Sequence, residues 1–215
     1  MKDEAFMTLS SYYQESRHEM LRYLPSSART VLDVGCGAGA FGRCILARQK
    51  CYIVGVEENS AASVEAERFL HKIYNCKFDE CVDFQGLKFD AIFFNDVLEH
   101  MINPCAALMF AKSIIANNGV VVTSIPNMRH FSVLKELFLK RNFEYRDAGI
   151  LDKTHLRFFT SMSMRRLFAD AGFEIVKHEG INEVSDRSAR LLANFFPKLF
   201  NDIVYLQFAT VAICK

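Results

Sequence analysis

The sequence predicts an α/β fold in which helices cover both faces of a doubly wound, mostly parallel sheet. Short apolar runs alternate with helical patterns along the chain, and the early runs are apolar throughout rather than alternating. Strands that βαβ connections bury on both faces have this composition. The apolar runs predict seven strands, at residues 30–34, 51–56, 74–78, 90–94, 119–124, 173–177 and 203–214.

Helical patterns occupy most of the intervals between these strands. The pattern at 161–171 is the clearest, because apolar residues recur at i, i+3, i+4 and i+7 from Met164 to Ala171 and Gly172 is placed to end the helix. The predicted helices lie near residues 39–49, 59–72, 104–116, 161–171 and 187–200.

Length and composition favour one domain over residues 1–215. The chain is 51% hydrophobic and 24% charged, which is the ordinary globular mixture. Two segments depart from the strand–helix rhythm: residues 1–29, an N-terminal cap region, and residues 127–160, which follow the fifth strand. Because long excursions at the carboxyl end of a parallel strand build substrate pockets, we expect 127–160 to be a substrate-side insertion.

Charge and cysteine usage exclude several classes of function. Lys and Arg number 26 and Asp and Glu number 25, so the basic excess typical of a nucleic-acid binder is missing. No apolar run has the ~18 residues of an integral membrane segment, and the first residues lack the apolar core of a signal peptide. The seven cysteines are scattered without metal-ligand spacing. We therefore expect a cytoplasmic protein with free thiols and no metal.

The strongest local signal is a glycine-rich turn, DVGCGAG at residues 33–39, between the first strand and the next helix. Glycine permits positive φ and close approach of a ligand to the backbone, and the helix start presents free N–H groups. Glu57 ends the second strand eighteen residues after Gly39. An acidic side chain at that point can accept both hydroxyls of a ribose.

Two ligands fit a glycine loop with a ribose carboxylate: a dinucleotide and S-adenosylmethionine. The pyrophosphate of a dinucleotide is negatively charged, whereas S-adenosylmethionine carries a cationic sulfonium and ammonium. Asp33 precedes the loop, Asp79 follows the third strand and Asp96 follows the fourth. Carboxylates at successive strand ends favour the cationic ligand.

With these residues, the segment FDAIFFNDVLEH at 89–100 resembles class I S-adenosylmethionine-dependent methyltransferases. The resemblance runs from about Tyr12 to about Phe173. The segment DKTHLRFFT at 152–160 is similar to a bacterial small-molecule branch that includes quinone-precursor and glycan methyltransferases. The sequence after the fourth strand lacks the Asp/Asn-Pro-Pro-Tyr/Phe motif of many nucleic-acid amino-methyltransferases, which counts against base methylation.

The resemblance implies a Rossmann-like, seven-stranded sheet whose last strand is antiparallel, with S-adenosylmethionine as the cofactor. The glycine-loop backbone would line the methionine moiety and Asp33 would organise that loop. Glu57 would hold the ribose, Asp79 would receive the adenine amino group, and Asn95 would contact the methionine end. Tyr12 or Tyr13 would close over the cofactor. The implied cofactor-binding residues are Tyr13, Asp33, Gly35, Cys36, Gly37, Gly39, Glu57, Asp79, Asn95 and Asp96.

Three histidines follow the fourth and fifth strands, where the acceptor should enter: His155, His100 and His130. If the acceptor is a hydroxyl, a histidine base suits the proton removal. Structural alternatives stand beside each. His155 would be a hydrogen-bonded latch of the insertion, His100 with Glu99 would orient a turn, and His130 would face solvent or a partner. A reaction without a base is a further alternative.

The acceptor and the assembly stay open at this level. The apolar helical face of the insertion, which contains Phe131 and Phe138, is a lid packed on the core, a dock for an apolar or lipid-linked acceptor, or a peripheral membrane contact. The pattern at 187–200 invites the same choice, with packing on the core first and a dimer interface next. We expect a monomer or a homodimer acting on a small-molecule acceptor.

Two rival functions remain. A nicotinamide-dependent oxidoreductase is supported by Gly35, Gly37 and Ala40 with Glu57, but Asp33 and Asp96 would lie near its phosphates. A non-catalytic S-adenosylmethionine-binding protein is the other rival, because no single residue is unmistakably catalytic.

Overall fold

Seven strands form one sheet in a computed structural model of the chain, which describes residues 16–79 and 82–215. Their spatial order is β3-β2-β1-β4-β5-β7-β6. The strands are β1 (Thr30–Val34), β2 (Tyr52–Val56), β3 (Lys72–Tyr74), β4 (Phe89–Asn95), β5 (Ile115–Pro126), β6 (Phe173–Glu183) and β7 (Tyr205–Cys214).

Strand direction confirms the predicted architecture. Neighbours among β1 to β5 pair in parallel, whereas β7 is antiparallel to both β5 and β6. Strand β6 therefore runs in the same direction as β5. The ends of β1 to β6 consequently meet at one edge of the sheet, the carboxyl edge, and β7 begins there.

Helices fill the connections. They are α1 (Ala40–Arg48), α2 (Ser60–Ala66), α3 (Pro104–Ile114), α4 (Phe131–Leu139), α5 (Ser161–Asp170), α6 (Arg187–Phe195) and α7 (Pro197–Phe200), with 3₁₀ helices at His18–Tyr23 and Leu98–His100. Helix α5 begins with a capping box formed by Thr160 and Ser163, and the left-handed Gly172 (φ +77°) follows its end. Judged by length and hydropathy, none of the helices in the described ranges qualifies as a membrane span.

The core divides into two apolar layers, one on each face of the sheet. Because successive strand residues point to opposite faces, Leu32 packs in one layer and Val31 in the other. Phe94 and Phe93 divide in the same way at β4. A sheet with apolar residues on both faces at consecutive positions needs helices on both sides, as the sequence predicted.

Several predicted boundaries were wrong, and β5 and β6 are longer than predicted, at Ile115–Pro126 and Phe173–Glu183. The third strand lies at Lys72–Tyr74 rather than 74–78, because Phe78 leaves the sheet and packs against Phe94, with ring centroids 5.4 Å apart. The helix expected at 59–72 ends at Ala66. The helix expected at 187–200 is split between α6 and α7 at Pro197, whose ring nitrogen cannot donate a helical hydrogen bond.

The insertion at 127–160 is attached to the carboxyl edge at both ends. At its start, the Asn127 side chain donates to the carbonyls of Asp202 (2.8 Å) and Tyr205 (3.1 Å). Near its end, the backbone N–H groups of Leu156 and Arg157 donate to the Glu99 carbonyl at 2.8 and 2.9 Å. The Arg157 side chain donates hydrogen bonds to the carbonyls of Leu156 and Ile102.

Candidate active site

The glycine loop follows β1 at the carboxyl edge. Gly35, Gly37 and Gly39 all adopt positive φ, at +67°, +54° and +80°, so all three need the freedom of glycine. A Cβ atom built on Gly35 would lie 2.6 Å from Cγ2 of Val97. Val97 directly precedes the Leu98–His100 turn, so the glycine loop is in contact with the segment that follows β4.

Glu57 braces this loop from the end of β2. Its carboxylate accepts hydrogen bonds from the backbone N–H groups of Gly37 (2.9 Å) and Asn59 (2.8 Å). Burial raises the pKa of Glu57, and the two backbone N–H groups oppose that rise. Glu57 therefore fixes the loop, and its contact with a ribose remains a prediction.

Asp33 and Cys36 differ in what they offer a cofactor. Asp33 is 2% exposed and its Oδ2 has no partner among the described residues. Burial, then the charge of Glu57, raises the Asp33 pKa to about 8, so a nearby cation would stabilise its ionised form. The Cys36 thiol packs in the core beside Gly55. A Cβ atom built on Gly55 would lie only 2.6 Å from the Cys36 Sγ. The Cys36 side chain is thus part of the core, and the predicted cofactor contact of Cys36 would have to use its backbone.

Asn95, at the end of β4, has an unsatisfied side chain. Both its Oδ1 and its Nδ2 are buried, and neither has a hydrogen-bond partner in the described part of the chain. Leaving a buried donor and acceptor unpaired is costly, so such groups usually await a ligand or water. A ligand that both donates and accepts, such as the ammonium and carboxylate of a methionine moiety, fits this pair.

Asp96 joins three distant segments. This residue has φ +53°, forms an ion pair with Arg17 and accepts a hydrogen bond from Gln207 Nε2. The Gln207 Oε1 accepts in turn from Arg17 (3.1 Å) and Asn182 (2.8 Å). Asp96 thus holds the chain around residue 17 against β4 and β7, and its contact with the cofactor remains a prediction.

Glu99, His100 and His155 form a compact cluster. One potential ligand atom from each lies within 4.8 Å of the others, and the imidazole centroids are 4.7 Å apart. His155 Nδ1 lies 2.9 Å from the Ile150 carbonyl, and His100 Nδ1 lies 3.2 Å from the Thr154 carbonyl. Because a carbonyl only accepts, each Nδ1 carries the hydrogen, and Nε2 is the basic atom of each ring.

Glu99 is the residue of this cluster that sequence analysis did not assign to the site. It is 1% exposed, and neither carboxyl oxygen has a hydrogen-bond partner among the described residues. Burial raises its pKa to about 8. A carboxylate and two imidazoles also suit a divalent cation, although the sequence predicted no metal. The Glu99-His100 dipeptide at a strand end was the signal that could have identified Glu99.

The other predicted residues are dispersed. His130 is the N-cap of α4, where its Nδ1 accepts a hydrogen bond from the Ser132 backbone (3.4 Å); it is buried, so the expectation that it faces solvent was wrong. Asp79 lies beyond β3 and is exposed. Tyr12 and Tyr13 lie outside the described residues.

A row of aromatic rings leads outward from the cluster. The Phe158 ring lies 6.2 Å from that of His155, and the Phe143 ring lies 5.8 Å from that of Phe158. Tyr145 packs on Phe143 at 5.4 Å. Phe143 and Tyr145 are exposed, so this row extends from the imidazoles to the surface of the insertion.

Comparison with known proteins agrees with this geometry. Residues 7–178 match the model of a methyltransferase-domain family. A ubiquinone biosynthesis O-methyltransferase from Neisseria meningitidis serogroup C is 23% identical over 163 residues, which cover 71% of this chain and 67% of that protein. The chain thus spans about two thirds of this relative's length.

Solved structures share the fold. An S-adenosylmethionine-dependent methyltransferase from Archaeoglobus fulgidus superposes with a TM-score of 0.67 at 20% identity, covering 97% of this chain and 99% of the other. The plantazolicin methyltransferase in complex with a triazolic desmethylplantazolicin analogue and S-adenosylhomocysteine gives a TM-score of 0.62 at 16% identity, covering 95% of this chain and 83% of the other. The chain belongs to the methyltransferase-domain family and is a class I S-adenosylmethionine-dependent methyltransferase.

Proposed function

We propose that this enzyme transfers a methyl group to a hydroxyl of a small-molecule acceptor, with His155 as the general base. The observation that carries the proposal is the position of the Glu99–His100–His155 cluster. It adjoins Val97, which touches the cofactor loop at Gly35. The family match and an O-methyltransferase among the relatives support oxygen as the acceptor atom.

Four groups at the carboxyl edge hold the cofactor. The glycine-loop backbone approaches the methionine part, Glu57 receives the ribose hydroxyls, and Asn95 and Asp33 offer unpaired polar atoms. S-adenosylmethionine, when bound, supplies a methyl group on a cationic sulfur that is already a good leaving group. The protein's main contribution is therefore alignment of acceptor and methyl group, which can supply up to about 7–11 kcal/mol in ideal cases.

Proton removal falls to His155. Its Nδ1–H is fixed by the Ile150 carbonyl, which leaves Nε2 to accept the hydroxyl proton of the acceptor. Burial, and then the neighbouring His155, lowers the pKa of His100, so His100 stays neutral beside the base. The Glu99 carboxyl would ionise more readily beside an imidazolium, and its charge would then stabilise the protonated base.

The acceptor would dock on the aromatic row beside the base. Phe158, Phe143 and Tyr145 form an apolar wall that begins at His155. Such a wall suits a ring or an apolar chain rather than a strongly charged metabolite. We therefore place an apolar or lipid-linked hydroxyl compound first among the acceptor classes.

Mass spectrometry with methyl-deuterated S-adenosylmethionine tests the proposal. A cell extract and a panel of phenols, sugars and amines serve as acceptors, and the label should appear on oxygen. His155→Asn should lower kcat by about 10²–10⁴-fold while S-adenosylhomocysteine still binds in calorimetry. The matched control is His130→Asn, which alters a buried histidine outside the cluster and should retain kcat if folded.

Two outcomes would overturn parts of this scheme. Label found on nitrogen or carbon acceptors alone would refute O-methylation. Unchanged kcat in His155→Asn would refute the base. Dialysis against EDTA should leave the rate unchanged; loss of activity that added Mg²⁺ or Zn²⁺ restores would show that the cluster holds a cation instead of acting as a base.

A further inference from the structure

Helix α6 is more apolar than its packing requires. Its inner side is fixed by Ala189, Leu192 and Ala193, which pack with Ile203 and Val204 in a small cluster. Leu191 and Phe195 lie one helical turn apart on the outer side, and Phe195 is 75% exposed. This outer stripe has no cover within the described chain.

The uncovered apolar surface continues on both sides of α6. Phe196, between α6 and α7, and Leu199 of α7 are exposed, and at the end of α4 Phe138 is 76% exposed beside Leu139. Scattered exposed apolar residues need no explanation, but several large ones on adjoining helices mark an interaction site. We call the outer side of α6 and α7 with the end of α4 the docking surface.

The three helices form one connected unit. Phe131 and Leu134 of α4 pack on the same small cluster as Leu192 of α6 and Phe200 of α7. The Arg129 guanidinium, just before α4, pairs with Asp202 at 2.8 Å and donates to the Leu199 carbonyl. The exposed apolar side chains therefore lie on helices whose relative positions are fixed by these contacts.

Charge identifies the occupant. Residues 131–141 and 186–200 contain six basic and two acidic side chains, a net charge of +4 in a chain whose total is +1. Arg187 and Lys198 beside the apolar stripe make no ion pair with any described residue, whereas Arg190 pairs with Glu183, and Lys140 pairs with Glu136, which also pairs with Arg146. Basic residues around exposed Phe and Leu are the composition of helices that lie in the interface of anionic membranes.

Topology places this surface at the same edge of the sheet as the active site. Strand β6 ends and β7 begins at the carboxyl edge, so α6 and α7, which connect them, lie at the edge that carries the glycine loop. We propose that the docking surface binds the anionic headgroup layer of a lipid membrane, with Phe195 and Leu199 entering its apolar boundary. A symmetric dimer through the same face would bring two patches of positive charge together, which disfavours a second copy as the occupant.

Vesicle sedimentation of the full chain tests this inference. The protein should bind vesicles of phosphatidylcholine with an equal part of phosphatidylglycerol, should ignore pure phosphatidylcholine vesicles, and should lose binding as salt rises. The paired changes Phe195→Ser with Leu199→Ser should weaken binding at least about tenfold, as should Arg187→Gln with Lys198→Gln.

Matched controls remove similar side chains elsewhere. Met109→Ser with Met162→Ser deletes two exposed apolar side chains, and Lys50→Gln with Lys77→Gln deletes two exposed charges. Both should bind vesicles like the wild type, and all variants should keep S-adenosylhomocysteine binding. Failure of the wild type to bind anionic vesicles, or equal binding by the docking-surface variants, overturns the inference. So does a self-association lost in Phe195→Ser with Leu199→Ser without any vesicle binding. The inference does not depend on the acceptor or on His155.

Discussion

Gly35 packs against Val97 so closely that any Cβ at position 35 would lie 2.6 Å from Cγ2 of Val97. This contact joins the cofactor loop of β1 to the turn after β4 that carries Glu99 and His100. The glycine is therefore required twice, by its φ of +67° and by its neighbour.

Gly35→Ala should weaken S-adenosylhomocysteine binding by at least about tenfold in calorimetry, because backbone strain of ~1–2 kcal/mol adds to the clash. Gly86→Ala is the matched control, since Gly86 has φ +78° but open space around its Cβ position. Adding Val97→Ala to Gly35→Ala should recover part of the affinity. No recovery would show that strain alone disturbs the loop.

Glu57→Ala should reduce cofactor affinity by at least about 1.5 kcal/mol, because charged hydrogen bonds contribute ~1.5–3 kcal/mol and the Gly37 brace is lost as well. The exposed neighbour Glu58 provides the control, and Glu58→Ala should bind normally. Equal calorimetric affinity in the two folded variants would contradict the ribose assignment.

Asn95→Leu should separate stability from function. Removing a buried amide without partners should leave the free energy of unfolding unchanged or raise it by about 1 kcal/mol, while cofactor binding is lost. Asn127→Leu is the comparison, because the Asn127 amide is fully engaged with the carbonyls of Asp202 and Tyr205 and its loss should destabilise. Urea unfolding with parallel calorimetry decides. A strongly destabilised Asn95→Leu protein would mean that the amide has a structural partner.

His178 should make stability depend on pH. Its ring stacks on Phe208 at 4.9 Å, and burial, then Arg165, lowers its pKa from 6.5 to about 4. The unfolded chain therefore binds this proton more readily, so stability is complete above pH 6.5 and falls as the pH drops through about 4. Urea midpoints across this range should depend less on pH in His178→Gln than in the wild type. Parallel curves for the two proteins would refute the assignment.

Local patterns explain why much of this molecule was predictable. The segment from Asp33 to Gly39 combines a buried strand, a turn that needs positive φ and a helix start, and each is encoded by its own residues. The position of Glu57 beside this loop was predictable for the same reason, since Glu57 ends the adjacent strand. The parallel direction of most strands followed from the alternation of strands and helices, whereas the antiparallel last strand followed from the family resemblance.

The contacts that could not be predicted join residues that are far apart along the chain. Arg17 and Gln207 meet across 190 residues, and no local pattern announces their shared contact with Asp96. Glu99 could have been recognised from its place beside His100, but its burial beside His155 is set by the path of the insertion. The position of β3 was missed because the Phe78 ring packs in the core against Phe94 and Phe110, and these contacts are distant in the sequence.

The unpaired atoms of Asn95 and Asp33 have a consequence for the lifetime of the protein. Because these buried polar atoms gain partners when a ligand binds, the ligand stabilises the folded state. The gain is about 2.7 kcal/mol when the ligand is present at 100 times its Kd. Resistance to proteases should then rise and fall with the supply of the methyl donor and its spent product. The rate at which the enzyme is degraded would then depend on how much methyl donor the cell contains.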